Sequence, residues 1–165
     1  MTAARQPAVL LFFRGPFSQF HPSNFTVDGL AYVCAEQYMH AEKARLFGDV
    51  AMAERIMRSD SPHEHKLMGG RVEGFDQDDW DTHKVAIVTA GNHAKFSQNA
   101  GLRRRLLDTG DAILAEANAK DFIWGIGLAE DDPAALDPAN WEGQNLLGEI
   151  LMAVRGELSA ATRTA

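Results

Sequence analysis

Glu36, His40 and Lys43 stand four and then three residues apart in the run VCAEQYMHAEKARLF, Val33 to Phe47. At about 100° per residue, that spacing puts a carboxylate, an imidazole and an amine on one face of one helix. The apolar residues Met39, Leu46 and Phe47 mark the same face, while Glu42 and Arg45 fall on the other side. A surface helix turns its charges away from the core. An acid and an amine turned inward can exchange protons, and an amine dry enough to lose its own proton can attack an electrophilic carbon. The plain structural alternative is a pair of intrahelical ion pairs at the core margin. The chemical one is a shielded cleft, where such groups are kept because they react.

Other residues suggest a ligand rather than a reaction. Trp80 stands near the start of a long helical pattern, and Trp124 lies in DFIWGIG beside Gly125 and Gly127, where a flat ring can approach the backbone and stack on indole. Each tryptophan serves equally as core. Arg14 and Gly15, in the loop RGPFSQFHPSN, can hold a phosphate by guanidinium and backbone N–H groups, or form an ordinary surface turn. Metal chemistry has little support, since His63, His65, His21, His83 and His93 show no four-ligand spacing and Cys34 has no second cysteine. No phosphate-binding P-loop or dinucleotide fingerprint is present, and Ser97 in FSQN has no sharp-turn context of a nucleophile. No metal and no cofactor is expected.

The elements that must position these groups follow from pattern. AVLLFF, Ala8 to Phe13, reads as a buried strand, and FTV-DG-LAYV reads as a hairpin because Asp-Gly favours the two-residue turn. Helices are expected over residues 35–47, over 50–57, and from Ser61-Pro62 to the glycines Gly69 and Gly70. DQDDWDTHKVAIVTAGNHAKFSQN reads as one long helix whose Asp76, Asp78 and Asp79 cap it and complement its dipole. A short helix over 102–107, strands at AILAEA and DFIWGIG, and a last amphipathic helix from Glu142 to Leu158 complete the pattern. Strands and helices do not alternate regularly, so the fold class expected is α+β, mostly helical around a small sheet. One domain is expected over residues 8–158, between a flexible start (1–7) and a flexible end (159–165).

The totals narrow the partners. The chain has 165 residues with a formal net charge of −7, which argues against a non-specific grip on a long nucleic-acid duplex. Local cations such as Arg103 to Arg105 leave room for a small phosphate-bearing ligand. A single cysteine excludes an intrachain disulfide and fits a reducing cytoplasm, and no run is long enough to span a membrane.

Five blocks, SNF (Ser23 to Phe25), AEQYMHAEKA, KFSQNAGLRRRLLDTGDAILAEA, DFIWGIG and WEGQNLLGEILMAVR, together resemble the NADAR family, also called YbiA-like, in the family's order from Phe12 to Arg155. The resemblance implies an α+β fold and an N-glycosidase acting on ribose attached to an amine. It implies two substrate classes: guanine carrying ADP-ribose on its exocyclic amine, and phosphoribosylamino-pyrimidine intermediates of riboflavin synthesis. It therefore implies a nucleotide-like substrate and transient contact with modified nucleic acid. The family's helix Glu and Lys match Glu36 and Lys43, its two tryptophans match Trp80 and Trp124, and its acid three residues before the second matches Asp121. Glu36, Lys43 and Asp121 are the expected catalytic groups. Asn24 with its neighbours Ser23 and Phe25, and Asn145 in GQN, match positions expected to line the substrate, as would Arg14, Gly15, His40, Trp80, Trp124 and Gly125. His40 departs from the pattern, since relatives commonly carry glutamine there. The competing expectation is a non-catalytic module that binds ADP-ribose or a nucleotide and has no use for Glu36 and Lys43 together.

Overall fold

Asp28 and Gly29 both adopt left-handed backbone, with φ of 50° and 79°, and close an antiparallel hairpin between β2 (Phe25–Val27) and β3 (Leu30–Tyr32). That is the geometry a two-residue Asp-Gly turn requires. The computed structural model describes residues 6–164. They divide into two compact units, one spanning Gln19–Arg103 and the other combining the chain up to Ser18 with Arg104 onward.

In the Gln19–Arg103 unit, α1 (Ala35–Leu46) packs against α2 (Val50–Met57), α3 (Pro62–Gly69) and the long α4 (Gln77–Gln98). Each of the last three helices has a side-chain cap, and for α3 and α4 it is the residue that the sequence puts at the helix start. Asp49 accepts from the Met52 amide, Ser61 from Glu64 and Asp76 from Asp79. Such caps satisfy donors the first turn leaves free. Phe25, Tyr32 and Tyr38 join Ala41, Ala44, Met52 and Ile56 in one apolar core. Gly91 of α4 lets the Tyr38 ring in, since a Cβ there would lie 2.5 Å from the ring.

The helix α1 is not amphipathic in the ordinary sense. Glu36, Gln37, Tyr38, Met39 and His40 are all buried, because partners surround the helix. Gln37 holds it in place: its Oε1 accepts from Val33 N at 2.8 Å, and its Nε2 donates to the carbonyls of Ile56 and Ser59 at 3.2 Å each. Those carbonyls close the end of α2, so one buried amide ties the first turn of α1 to it.

In the other unit, β1 (Val9–Phe12) lies parallel to β4 (Ile113–Glu116), pairing Val9 with Ile113 and Phe12 with Glu116. The last helix, α6 (Leu146–Thr164), packs on β4, burying Leu147, Leu151, Val154 and Leu158. The helix α5 (Ala100–Leu107) joins the two stretches of chain. The class is α+β, as expected.

Three local expectations are corrected. DFIWGIG is not a strand. Its carbonyls from Phe122 to Ile126 instead accept the amides of residues 142–147, in an irregular double strap stabilised by a turn at Asp121. The last helix starts at Leu146 rather than Glu142, because the amides of 142–145 are engaged in that strap. It also continues through Ser159 to Thr164, where a loose end was expected. At the other end, residues 6 and 7 carry no regular structure, and the rest of the expected flexible start lies outside the described residues.

Candidate functional site

In the Gln19–Arg103 unit, α1 carries the three residues that opened the sequence argument. Glu36 is 5% exposed and His40 7%, and His40 Nε2 stands 2.8 Å from Glu36 Oε1. The backbone amide of Glu36 donates to the Gln19 carbonyl at 3.0 Å, so the residue is held at main chain and side chain alike.

Lys43, two turns further on, makes no ion pair with Glu36. Its Nζ lies 4.6 Å from the centre of the Phe75 ring and 5.4 Å from that of Trp80. Rings attract a cation weakly but take water away from it. Burial, with no carboxylate contribution, pushes the Lys43 amine below the ordinary lysine range. The structural alternative of two intrahelical pairs is therefore half realised: Glu36–His40 forms, and Lys43 sits instead in an aromatic clasp.

Trp80 is held for this contact by its place in the first turn of α4. Its amide donates to the Asp76 carbonyl at 3.0 Å, and its side chain is buried. Phe75 immediately precedes the capping residue of the same helix. The acidic first turn thus works as a cap that also positions two rings.

The SNF triplet has mainly local partners. Phe25 stacks on Tyr32 at 5.6 Å within the core, and Ser23 Oγ donates to the His21 carbonyl at 2.7 Å. Asn24 is exposed, with its carbonyl accepting from Asn99 Nδ2.

The other unit carries the remaining expected residues. Arg14 is exposed, its guanidinium 5.8 Å from the Phe13 ring, and Gly15 has φ of 84°. Asp121 Oδ1 accepts from the amides of Ile123 at 3.0 Å and Trp124 at 2.8 Å, which makes it the anchor of the turn presenting Trp124. Trp124 is half-buried and Gly125 buried, the latter with room for no side chain: a Cβ would meet the Glu116 carbonyl at 2.9 Å. Asn145 has both ends of its amide engaged, Nδ2 donating to the Leu114 carbonyl at 2.9 Å and Oδ1 accepting from Glu116 N at 3.1 Å.

Several groups escaped the sequence reading. Lys95 of α4 is fully buried, and desolvation pushes its amine down to about 7, with Cys34 acting in the opposite sense. Phe75 had a faint signal, an apolar residue just before a helix cap. Gln19 and Asn92 had none, being brought together across 73 residues by an Asn92 Nδ2 to Gln19 Oε1 bond of 2.8 Å. Cys34 is buried beside His65, with Sγ 3.6 Å from Nδ1, while His65 Nε2 lies 2.6 Å from the Ser59 carbonyl. Burial raises the thiol and lowers the imidazole, so this pair is neutral packing rather than a nucleophile.

Comparison with known proteins places this geometry. The NADAR domain family model matches residues 12–159, running through both units. N-glycosidase R617 of Acanthamoeba polyphaga mimivirus is 46% identical over 146 residues, covering 86% of each chain. Riboflavin biosynthesis protein VVA0006 of Vibrio vulnificus is 32% identical over 87% of this chain, which spans 35% of that longer protein. The NMR structure of the E. coli protein YbiA superimposes with a TM-score of 0.81 at 29% identity, covering 98% of this chain and 91% of that one.

Proposed function

Because the chain belongs to the NADAR family, whose relatives include named N-glycosidases, we propose that it hydrolyses the bond between ribose C1 and an exocyclic amine, with Lys43 as nucleophile and Glu36 as proton carrier. As the family's hydrolase chemistry requires, the reaction consumes one water. The observation that carries the reading is the state of Lys43, an amine clasped by Phe75 and Trp80 and lowered by desolvation alone.

An exocyclic nitrogen, unlike a ring nitrogen, keeps a proton, so its sugar can open. Glu36 takes the N–H proton and delivers it to the ring oxygen as the C1–O bond breaks, leaving an imine at C1. The free amine of Lys43 adds to C1, and both of its protons pass in turn to the base nitrogen, which leaves as a free amine when the C1–N bond to the base breaks. What remains is a C1=N bond to Lys43. Water adds there, the carbinolamine collapses, and ribose leaves as the aldehyde that closes to a ring, with Lys43 restored.

Two substrates carry this bond: guanine with ADP-ribose on its exocyclic amine, and a phosphoribosylamino-pyrimidine of riboflavin synthesis. The relative named N-glycosidase supports cleavage of an N-glycosyl bond, and the relative named riboflavin biosynthesis protein, of which this chain spans 35%, is in keeping with the second substrate. In this reading Trp80, beside Lys43, stacks on the base, and within the other unit Arg14, the Gly15 loop and Trp124 are the groups suited to phosphate and aromatic contacts. Asp121, whose Oδ1 holds two amides of the Trp124 turn, positions that turn in this route, and Asp121 or Glu36 would activate water in the rival one.

Mass spectrometry of products from the two substrates, incubated separately, decides between them. Borohydride added during turnover should leave a reduced sugar on Lys43. Turnover with no adduct on Lys43 would replace the covalent route by direct attack of water on an oxocarbenium-like sugar. Unaltered substrate in both incubations would leave the non-catalytic binding module as the better account.

A further inference from the structure

We infer that His40 is a positioning residue that holds Glu36 as a base through a fixed tautomer, and that Gly69 is a glycine in order to seat its imidazole. The inference rests on the role proposed above for Glu36.

His40 Nε2 and Glu36 Oε1 are 2.8 Å apart and both side chains are buried. His40 Nδ1 is also buried and has no hydrogen-bond partner. Two arrangements with a neutral imidazole fit the short contact. In one, Nε2–H donates to a carboxylate and Nδ1 is the bare nitrogen. In the other, a carboxylic acid donates to Nε2 and the ring proton sits on Nδ1. The second strands a buried N–H donor, and so does the imidazolium. A bare nitrogen with no donor is the milder defect. On hydrogen bonding, the geometry points to the first arrangement, in which Glu36 enters the reaction as a base.

What keeps Nδ1 without a partner is α3. A Cβ built on Gly69 would lie 1.9 Å from Nδ1 and 2.5 Å from Cε1 and Cγ. Gly69 lies within the helix and not among the residues of positive φ, so contact rather than backbone conformation demands glycine. The other titratable groups packed about this interior have contacts of their own: His65 of α3 engages Cys34 and the Ser59 carbonyl while still feeling the charge of Glu36, Lys43 engages Phe75 and Trp80, and Lys95 of α4 is buried within the field of Cys34. With Oε1 held by His40 and the Glu36 amide held by Gln19, Oε2 is the oxygen left for proton transfer.

A double-mutant cycle tests this. His40→Ala should lower kcat roughly ten- to hundredfold with KM nearly unchanged, the cost of a misplaced base. His40→Gln, which restores an N–H donor, should recover most of that loss. In a Glu36→Gln background both substitutions should have no further effect, because His40 acts only through that carboxylate. A rise in KM with kcat intact, or an undiminished effect in Glu36→Gln, would overturn the positioning role. Full turnover in Glu36→Gln alone would instead overturn the function proposed for Glu36. Gly69→Ala should lower Tm and kcat when His40 is present and do little in His40→Ala, and equal damage in both backgrounds would remove Gly69 from the account. Nitrogen-15 spectra of the His40 ring give a readout independent of turnover. The Nε2–H tautomer is expected, and a proton on Nδ1 at neutral pH would sink the inference.

Discussion

The interior around α1 and the strap formed by residues 121–147 handle polar groups in opposite ways. In the strap the expected site side chains are engaged: buried Asn145 has a partner at each end of its amide, and half-buried Asp121 receives two backbone amides. Around α1, Gln19 Nε2, Asn92 Oδ1 and His40 Nδ1 are buried without partners, and an amine lies among rings. Native proteins leave few such atoms, and each needs a reason. The strap is built to hold a shape. On the function proposed, the α1 interior keeps reactive groups ready, at a cost in local stability that a purely structural interior would not carry.

The largest test of that contrast is chemical. Glu36→Gln and Lys43→Arg should each cut kcat by about two to four orders of magnitude, as loss of a general base or nucleophile does. Thermal melts of both should stay near that of the unaltered protein, because neither side chain completes the core. A collapse in Tm matching the loss of turnover would make α1 a structural region like the strap. The sign of the pH dependence is also set. In the proposed route Lys43 must be unprotonated to attack, and its amine is lowered by desolvation, so kcat/KM should rise with pH and level off below the ordinary lysine value of 10.5.

Asn145 tests the other half. Its φ of 54° is left-handed, and its amide bonds Leu114 O and Glu116 N. Asn145→Gly keeps the backbone conformation and removes only the side-chain bonds, leaving two buried main-chain groups, a loss of about 2–4 kcal/mol. Asn145→Ala adds the strain of a Cβ at positive φ, about 1 kcal/mol more. Chemical denaturation measures both. An Ala variant no worse than Gly would show that the turn relaxes, and unchanged stability in either would make Asn145 a ligand group instead.

Lys95 sits between these cases, fully buried yet titratable near neutrality. Its amine is at about 7 in the folded protein against an ordinary 10.5. Between those values the unfolded chain binds more protons, so this group makes stability rise with pH across that window. Below about 7 both states hold the proton and the penalty is constant. Denaturation midpoints from pH 6 to 10 should therefore slope upward, and Lys95→Met should flatten them. A slope that survives the substitution would assign the titration elsewhere.

Legibility in the sequence followed the range of the interactions. Periodicity alone put Glu36, His40 and Lys43 on one face, Asp28-Gly29 gave the hairpin away, and Ser61 and Asp76 announced their helices, because each is settled within a turn or two of chain. DFIWGIG misled because an apolar run looks the same whether its carbonyls serve a ladder or a strap from residues 142–147. Asn145 matched a ligand-lining position, and only the distant Leu114 and Glu116 show what holds it. Gln19, Asn92, Lys95 and the Gly69 contact depend on partners dozens of residues away, and no local pattern encodes them.

The smallest expected effect concerns Asp76, where charge and capping can be separated. Its Oδ1 accepts from Asp79 N at 2.9 Å, its carbonyl accepts from Trp80 N, and Phe75 precedes it. Asp76→Ala removes one cap, about 1 kcal/mol by thermal melt, whereas Asp76→Asn caps as well and should be nearly neutral. If the carboxylate served a cation instead, Asn would be as harmful as Ala and added divalent metal would change the rate. Fraying of this first turn would also loosen Phe75 and Trp80 from Lys43 and let water back to its amine. The rise of kcat/KM in Asp76→Ala should then move to higher pH while the plateau rate holds, because the substitution changes the solvation of the nucleophile and leaves the nucleophile itself in place.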